Sequence, residues 1–308
     1  MTDIAVIILI GQEKIHLKRC IEKLAPLNPR QIFLVESQPD DGGVAIAKET
    51  AAKLGLRLET MYHKWPGLYA QQFNWALDEL VSSSRFQVSG RGAGSKFQVS
   101  GGEGGWILRL DADEYLTEQT CEDLRRLLCG GPGVSALPDD VAGLTLELKR
   151  RFMGGEIRHA TNGIRLLRIW RWGRGRSEER AMDEHIVIDG VSDLDELRAS
   201  GKVIDFDGAF YDDNLNDLEW WKNKHRGYAK REAMDALSFA RGEIRFKPVK
   251  EKYYKIPRYL RAVMYFCIRY FLKGGFLDGR AGWMWNFWQG LWYRWIVDRE
   301  IGRLRSRS

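Results

Sequence analysis

Residues 104–120, GGWILRLDADEYLTEQT, decide how this chain is read. An apolar segment runs into three carboxylates, Asp111, Asp113 and Glu114, and then into a helical pattern. Like charges at that spacing repel, so either water solvates them on a turn or a cation lies among them. WILRLD has the length and composition of a buried strand, and its position relative to the preceding segments sets the architecture.

Upstream, IAVIILI (4–10) reads as a strand buried on both faces, RQIFLVES (30–37) as a second and LRLETMYH as a third. Between them lie helical patterns: EKIHLKRCIEKLAPL, then GGVAIAKETAAKLG (42–55) ending at Gly55, then LYAQQFNWALDELVSS (68–83). The alternation β-α-β-α-β-α-β predicts an α/β fold with an open, mostly parallel sheet and helices on both faces. In such sheets ligands bind beyond the carboxyl ends of the strands, which is where Asp111 falls. Residues 84–105 interrupt the pattern with a Gly/Ser-rich insertion in which FQVSG occurs twice, at 86–90 and 97–101. No Lys-Ser/Thr closes a phosphate loop there, so a surface loop or small hairpin is expected. Further strands are expected over 141–210 and a long helix over 215–237.

The 308 residues carry a formal net charge of +6, unevenly placed. Residues 241–308 hold 16 Lys/Arg against 5 Asp/Glu, a net of +11, and 5 of the 12 Trp. This predicts a domain over 1–240 and a basic, aromatic helical tail over 241–308. Four separated cysteines without a C-x-x-C pair argue against a zinc site or a disulfide framework. The N-terminal sequence lacks the basic region and cleavage site of a signal peptide, so a cytosolic start is expected. In the tail, Arg269 and Lys273 interrupt one apolar run, and 281–297 reaches 17 residues with Arg294 inside. Spanning needs about 20 apolar residues, so a helix lying in the membrane interface is the reading.

Asp111 ends its strand, and Asp113, two residues on, is expected along the same side of an extended backbone. Such an oxygen-rich half-site suits Mg²⁺ or Mn²⁺ shared with a diphosphate, while the alternative is a solvated turn capping the next helix. Glu114 reads as a helix-start charge.

Several motifs in order resemble the family 2 glycosyltransferases, which have the GT-A fold. VIILIGQEKIHLKRCIEKL is similar to that family's opening strand and Asn-Glu pair, with Gln12 in place of Asn and Glu13 kept. IFLVESQPDDGGVAIAKE resembles its second strand and acidic turn, with Glu36 where Asp is usual, then Asp40 and Asp41. YAQQFNWAL, with Gln72 and Asn74, and WILRLDADEYLT resemble the lipopolysaccharide-core and surface-polysaccharide β-1,4-glucosyltransferase branch. RAMDEHIVIDG (180–190), WWKNKHRGYAKREA (220–233) and FLKGGFLDGRAGWMWNFWQGLWY (271–293) extend the likeness to most of the chain outside 84–105.

The resemblance implies an inverting transfer of sugar from a UDP-sugar donor to a lipid-linked, lipopolysaccharide or exopolysaccharide acceptor. Asp113, with Asp111, would hold Mg²⁺ or Mn²⁺, unless Asp111 contacts the ribose instead. Glu36 would read the uracil or ribose edge, with Glu13, Gln72 and Asn74 also on the donor side. Glu184, or Asp183 beside it, would be the general base. His185 could ligate metal or be structural. Lys224, His225 and Tyr228 could bind diphosphate or acceptor, or form a solvated helix face. Arg165 and Arg168 could point to acceptor phosphates or to solvent, and solvent is the default expectation. The tail aromatics come in apolar blocks too greasy for a nucleic-acid groove, so the expected partner of 255–297 is an anionic membrane surface, on the cytoplasmic face of a bacterial inner membrane. A sugar nucleotidyltransferase and a non-catalytic membrane- or nucleic-acid-binding protein are the alternatives.

Overall fold

The computed structural model describes residues 1–82, 105–131, 133, 135–160, 163–179, 185–244 and 248–306. The insertion over 84–104, and Asp183 and Glu184, lie outside the described residues. The chain divides into two compact units, residues 1–148 with 163–212, and residues 149–162 with 213–308.

The first unit opens with β1 (Thr2–Ile10), α1 (Lys14–Leu24), β2 (Pro29–Glu36), α2 (Gly43–Lys53), β3 (Leu58–Tyr62), α3 (Tyr69–Ser82) and β4 (Trp106–Asp111). Then come β5 (Glu114–Leu116), α4 (Glu118–Cys129), β6 (Gly143–Phe152), β7 (Gly155–Ile157, in the second unit), β8 (Arg165–Arg171), β9 (Gly175–Ser177), β10 (Ile186–Ile188), α5 (Leu194–Ala199) and β11 (Val203–Asp213). The sheet order is β3-β2-β1-β4-β8-β6-β11-β5. Strands β3, β2, β1 and β4 are parallel, whereas β8 is antiparallel to both β4 and β6. The expected α/β alternation is therefore present, and all four strands read before residue 112 form where they were expected.

The period-2 pattern of β1 shows why. Ile4, Val6, Ile8 and Ile10 enter one buried cluster, and Ala5, Ile7 and Leu9 enter the other. Each fully buried aliphatic side chain contributes about 1.5–3 kcal/mol, so a strand buried on both faces holds its register firmly. That register sets the carboxyl edge: Leu9 lies opposite Asp111, Ile10 opposite Glu36, and Glu36 opposite Tyr62.

Two differences from the sequence reading concern the acidic stretch. The chain turns at Ala112 and Asp113 instead of running on extended, because β5 follows at once and pairs antiparallel with β11. The helix begins only at Glu118, capped by Thr117, whose hydroxyl accepts from Thr120 N–H at 3.1 Å.

The second unit contains α6 (Leu218–Ala240), α7 (Pro248–Lys255), α8 (Leu260–Cys267), a π-helical turn (Ile268–Leu272), a 3₁₀ turn (Gly275–Asp278), α9 (Gly279–Trp285), a π-helical segment (Asn286–Trp292) and α10 (Tyr293–Arg305). The sequence reading ended the first domain at 240. By packing, α6 goes with the tail: Ala229, Ala233 and Ala236 form a small-residue ridge that buries against Tyr293, Ile296, Val297 and Ile301. At the centre of this contact Glu232 accepts from Tyr293 Oη at 2.7 Å, Tyr254 Oη at 3.1 Å and Arg294 Nη1 at 2.7 Å. Burial raises the Glu232 carboxyl, but Arg294 and these hydroxyls outweigh it and hold it below its ordinary range. No helix among the described residues is long and apolar enough to cross a membrane.

Candidate functional site

Adjacent parallel strands lie about 4.8 Å apart, so the register places Asp111 of β4 and Glu36 of β2 roughly 10 Å from each other across β1. Both carboxylates are partly exposed, and among the described residues neither is hydrogen-bonded. Burial lifts the Glu36 carboxyl above its ordinary value, and Asp40 adds repulsion. Asp113 is partly exposed on the turn one residue past Ala112.

The other polar candidates around this edge are committed to protein partners. Glu13 accepts or shares a proton with the buried His16 Nδ1 at 2.6 Å. Asp40 and Asp41 cap the start of α2, accepting from Val44 N–H at 3.2 Å and Gly43 N–H at 2.9 Å, and Asp41 also accepts from Lys14 N–H at 3.0 Å. Gly42 makes this turn possible with φ 89°. Gln72, fully buried on α3, donates to the carbonyls of Glu36 (3.3 Å) and His63 (3.1 Å), and its Oε1 lies 2.7 Å from His63 Nδ1. It therefore ties the ends of β2 and β3 together, directly behind Glu36.

Asn74, two residues and about half a turn further along α3, acts on a different segment. Its amide oxygen accepts from Ser177 N–H at 2.9 Å and its NH₂ donates to Ser177 O at 2.8 Å, imitating a strand partner for β9. Arg109 Nη1 donates to Ser177 Oγ at 3.2 Å, and Arg176 grips Asp78 of α3 at 2.6 and 2.9 Å. The Arg176 guanidinium holds the Asp78 carboxyl below its ordinary range. These bonds fasten the β9–β10 hairpin to α3, and Glu178 N–H to His185 O at 2.8 Å extends it. Asp183 and Glu184 lie outside the described residues. His185, the residue before β10, is partly buried.

Glu114 and Arg168 were not recognised as site residues. Glu114 is buried in β5, where its Oε2 accepts from Asp111 N–H at 3.0 Å and its Oε1 accepts from Arg168 Nη2. Arg168 faces the interior because of a β-bulge: Leu144 pairs with Ile169 and Thr145 with Leu167, which leaves Arg168 as the extra residue. Its guanidinium lies over the Phe210 ring, 4.6 Å from the centroid. Burial raises the Glu114 carboxyl well above its ordinary value; Arg168 and the Asp111 amide oppose this, and Asp111 and Asp113 add to it. The same field reaches Cys20 of α1, whose buried thiol is pushed up by desolvation and by Glu114 and Asp113. The only available signal was the broken alternation in GIRLLRIW. Arg165 also differs from its expected exposure: it donates to Thr145 Oγ1 at 3.1 Å and to the Phe206 carbonyl.

In the second unit, His225 stacks on Trp221 with centroids 3.5 Å apart, and Lys224 lies 4.8 Å from the Trp220 centroid. Tyr228 is partly buried against the core of that unit.

Among the described residues no group of three or more His, Cys, Asp or Glu could hold a metal ion. Glu114 is committed to Arg168, and Asp111 and Asp113 are the other two carboxylates of this stretch. Two hard oxygen donors fit Mg²⁺ or Mn²⁺, which complete their shells with water and substrate phosphate.

No protein-family model matches the chain, and no curated protein matches it. Solved structures similar to it include the mannosyltransferase PcManGT from Pyrobaculum calidifontis in complex with GDP-Man and Mn²⁺, at 12% identity over 97% of this chain and 87% of that one, with a TM-score of 0.46. S. aureus TarS is similar at 12% identity over 93% of this chain, with a TM-score of 0.37; the match spans 48% of the TarS chain. Glucosyl-3-phosphoglycerate synthase from Mycobacterium tuberculosis, with Mn²⁺, UDP and glucosyl-3-phosphoglycerate, is similar at 14% identity over 49% of this chain and 44% of that one, with a TM-score of 0.24.

Proposed function

We propose that this chain is an inverting, metal-assisted glycosyltransferase that moves a sugar from a UDP-sugar to a lipid-linked, lipopolysaccharide or exopolysaccharide acceptor. One observation carries the reading. At the carboxyl edge of the parallel strands, Asp111 and Glu36 keep carboxylates that no described residue hydrogen-bonds, while the polar groups around them are committed to holding the edge in shape.

Glu36 would accept from the base or ribose of the donor. Asp111 and Asp113 would hold the divalent cation, which supplies positive charge against the leaving diphosphate. Glu114 fixes the turn through the Asp111 amide and keeps both aspartates at one place. On the other sugar face, Glu184 or Asp183 would take the proton of the acceptor hydroxyl as its oxygen bonds to the anomeric carbon and the bond to the diphosphate oxygen breaks. A single displacement inverts that carbon. The basic, aromatic segment 255–297 would hold the enzyme at the cytoplasmic face of the membrane, where a lipid-linked acceptor is found.

The test is calorimetric binding and transfer or hydrolysis with a panel of UDP-sugars, with and without Mn²⁺. Asp113→Ala should abolish metal-dependent donor binding while the fold is kept. A protein that binds no sugar nucleotide with or without metal, or a variant whose Mn²⁺ dependence is unchanged, refutes the reading.

A further inference from the structure

The helix running from Leu260 through Leu272 is inverted with respect to an ordinary surface helix. Its inward face carries charge: Arg261 is 3% exposed and Arg269 is 5% exposed. Its outward face is apolar: Leu260, Val263, Met264, Ile268, Phe271 and Leu272 are all exposed, Phe271 at 58% and Leu272 at 81%. The following 3₁₀ turn continues the patch with Phe276 and Leu277. Contiguous apolar surface on this scale marks a docking face, because scattered exposed residues do not line up along one element.

Charge selects the occupant. Lys255, Arg258, Lys273 and Arg280 are exposed around the patch. The one acid in residues 255–283 is Asp278, and its carboxylate is held by His159 Nδ1 at 2.6 Å and His159 N–H at 3.1 Å. A second copy of this chain docked on the same face would set that basic rim against itself. An acidic surface with an apolar interior matches both features. At 1.5 Å per residue the helix measures about 20 Å, short of the roughly 30 Å of a bilayer core, so it lies in the interface.

Resting on the membrane part of the proposed function, we infer that this helix face is the docking surface, and that its partner is an anionic lipid bilayer. Phe271, Leu272, Phe276 and Leu277 enter the acyl boundary, and Lys273 and Arg280 meet the headgroups.

The full chain is tested by co-sedimentation with vesicles of phosphatidylcholine alone and of equal parts phosphatidylcholine and phosphatidylglycerol. The parent protein should bind the anionic vesicles and bind neutral ones far more weakly. Phe271→Ser/Leu272→Ser should weaken anionic-vesicle binding about 100-fold, tenfold for each apolar side chain kept in water. Lys273→Gln/Arg280→Gln should weaken it about 25-fold, roughly fivefold per charge. The variants alter exposed side chains, and unchanged circular dichroism and melting confirm the fold. Equal binding to both vesicle types, no binding by the parent, or serine variants that bind like the parent overturns the inference. A concentration-dependent dimer that the serine pair abolishes, without vesicle binding, assigns the face to a second copy and overturns it too. Donor binding measured without vesicles is independent of all four outcomes: its absence refutes the transferase reading alone, and its persistence in the serine variants shows that only docking was lost.

Discussion

Removing the Arg168 guanidinium tests the brace beneath the acidic turn. In Arg168→Met the Glu114 carboxylate stays buried in β5, with Asp111 and Asp113 beside it and only the Asp111 amide left to compensate. Breaking a buried pair from one side costs about 3–5 kcal/mol. For a unit of roughly 200 residues, at about 2–4 °C per kcal/mol, the melting temperature should fall by about 6–20 °C. Glu114→Gln destabilises for a different reason. Glutamine offers one acceptor oxygen where Asp111 N–H and Arg168 both require one, and its NH₂ must face a donor. The double variant Glu114→Gln/Arg168→Met removes both charges and keeps an acceptor for Asp111 N–H, so it should be more stable than the sum of the two single losses predicts by about 2 kcal/mol or more. Urea unfolding followed by circular dichroism gives all three values. A cost below about 1 kcal/mol for Arg168→Met, or strictly additive losses, refutes the pair as the element that sets the turn.

Glu36 has a carboxyl raised by burial and by Asp40, so it binds protons more readily in the folded state than unfolded. Its contribution to stability is therefore lost as pH rises through the range above its ordinary value, and donor binding through its ionised form is lost as pH falls through the same range. Asp40→Asn should move the donor-binding midpoint to lower pH, read by titrating affinity against pH. In β9, a Cβ on Gly175 would lie 2.5 Å from the buried Trp170 ring, so Gly175→Ala should cost about 1–3 kcal/mol in urea unfolding. In the tail, Asp298→Ala leaves the buried Arg261 guanidinium and Tyr259 N–H without their acceptor; a loss of about 3–5 kcal/mol should appear as faster hydrogen exchange across residues 255–306.

The parallel half of the sheet was legible because its strands are buried on both faces and separated by helices with clear periodicity. IAVIILI is short, continuously apolar and rich in β-branched residues, and its alternate residues enter the two clusters. The carboxyl edge followed from strand order, and with it the location of Asp111, Asp113 and Glu36. The bracing residues were not legible, since their partners are backbone groups from distant segments. Gln72 and Asn74 both resembled donor ligands, yet their amides hold His63, Glu36 and Ser177. Glu114 sits in a strand of three residues, too short for alternation to register. Arg168 depends on a bulge, and a bulge is set by the register of the neighbouring strand, here at Leu144 and Thr145.

The tail shows a different limit of sequence reading. Periodicity in residues 260–272 reveals an apolar stripe and a charged stripe but does not say which one faces inward. Hydrophobic burial alone would turn the apolar stripe in. Here the orientation is set by partners on other elements: Asp298 accepts from Arg261 Nε at 2.8 Å and from Tyr259 N–H at 2.7 Å, and the Arg269 guanidinium lies 5.6 Å from the Trp285 centroid. Turning the helix over would carry both cations into water but leave the fully buried Asp298 carboxylate without its Arg261 partner, a cost of several kcal/mol. Side chains on the outer stripe thus add little to the stability of this unit. Exchanging Phe271 and Leu272 for serine leaves every one of those inward contacts in place, so a loss of vesicle binding in that variant reports on the surface and not on the fold.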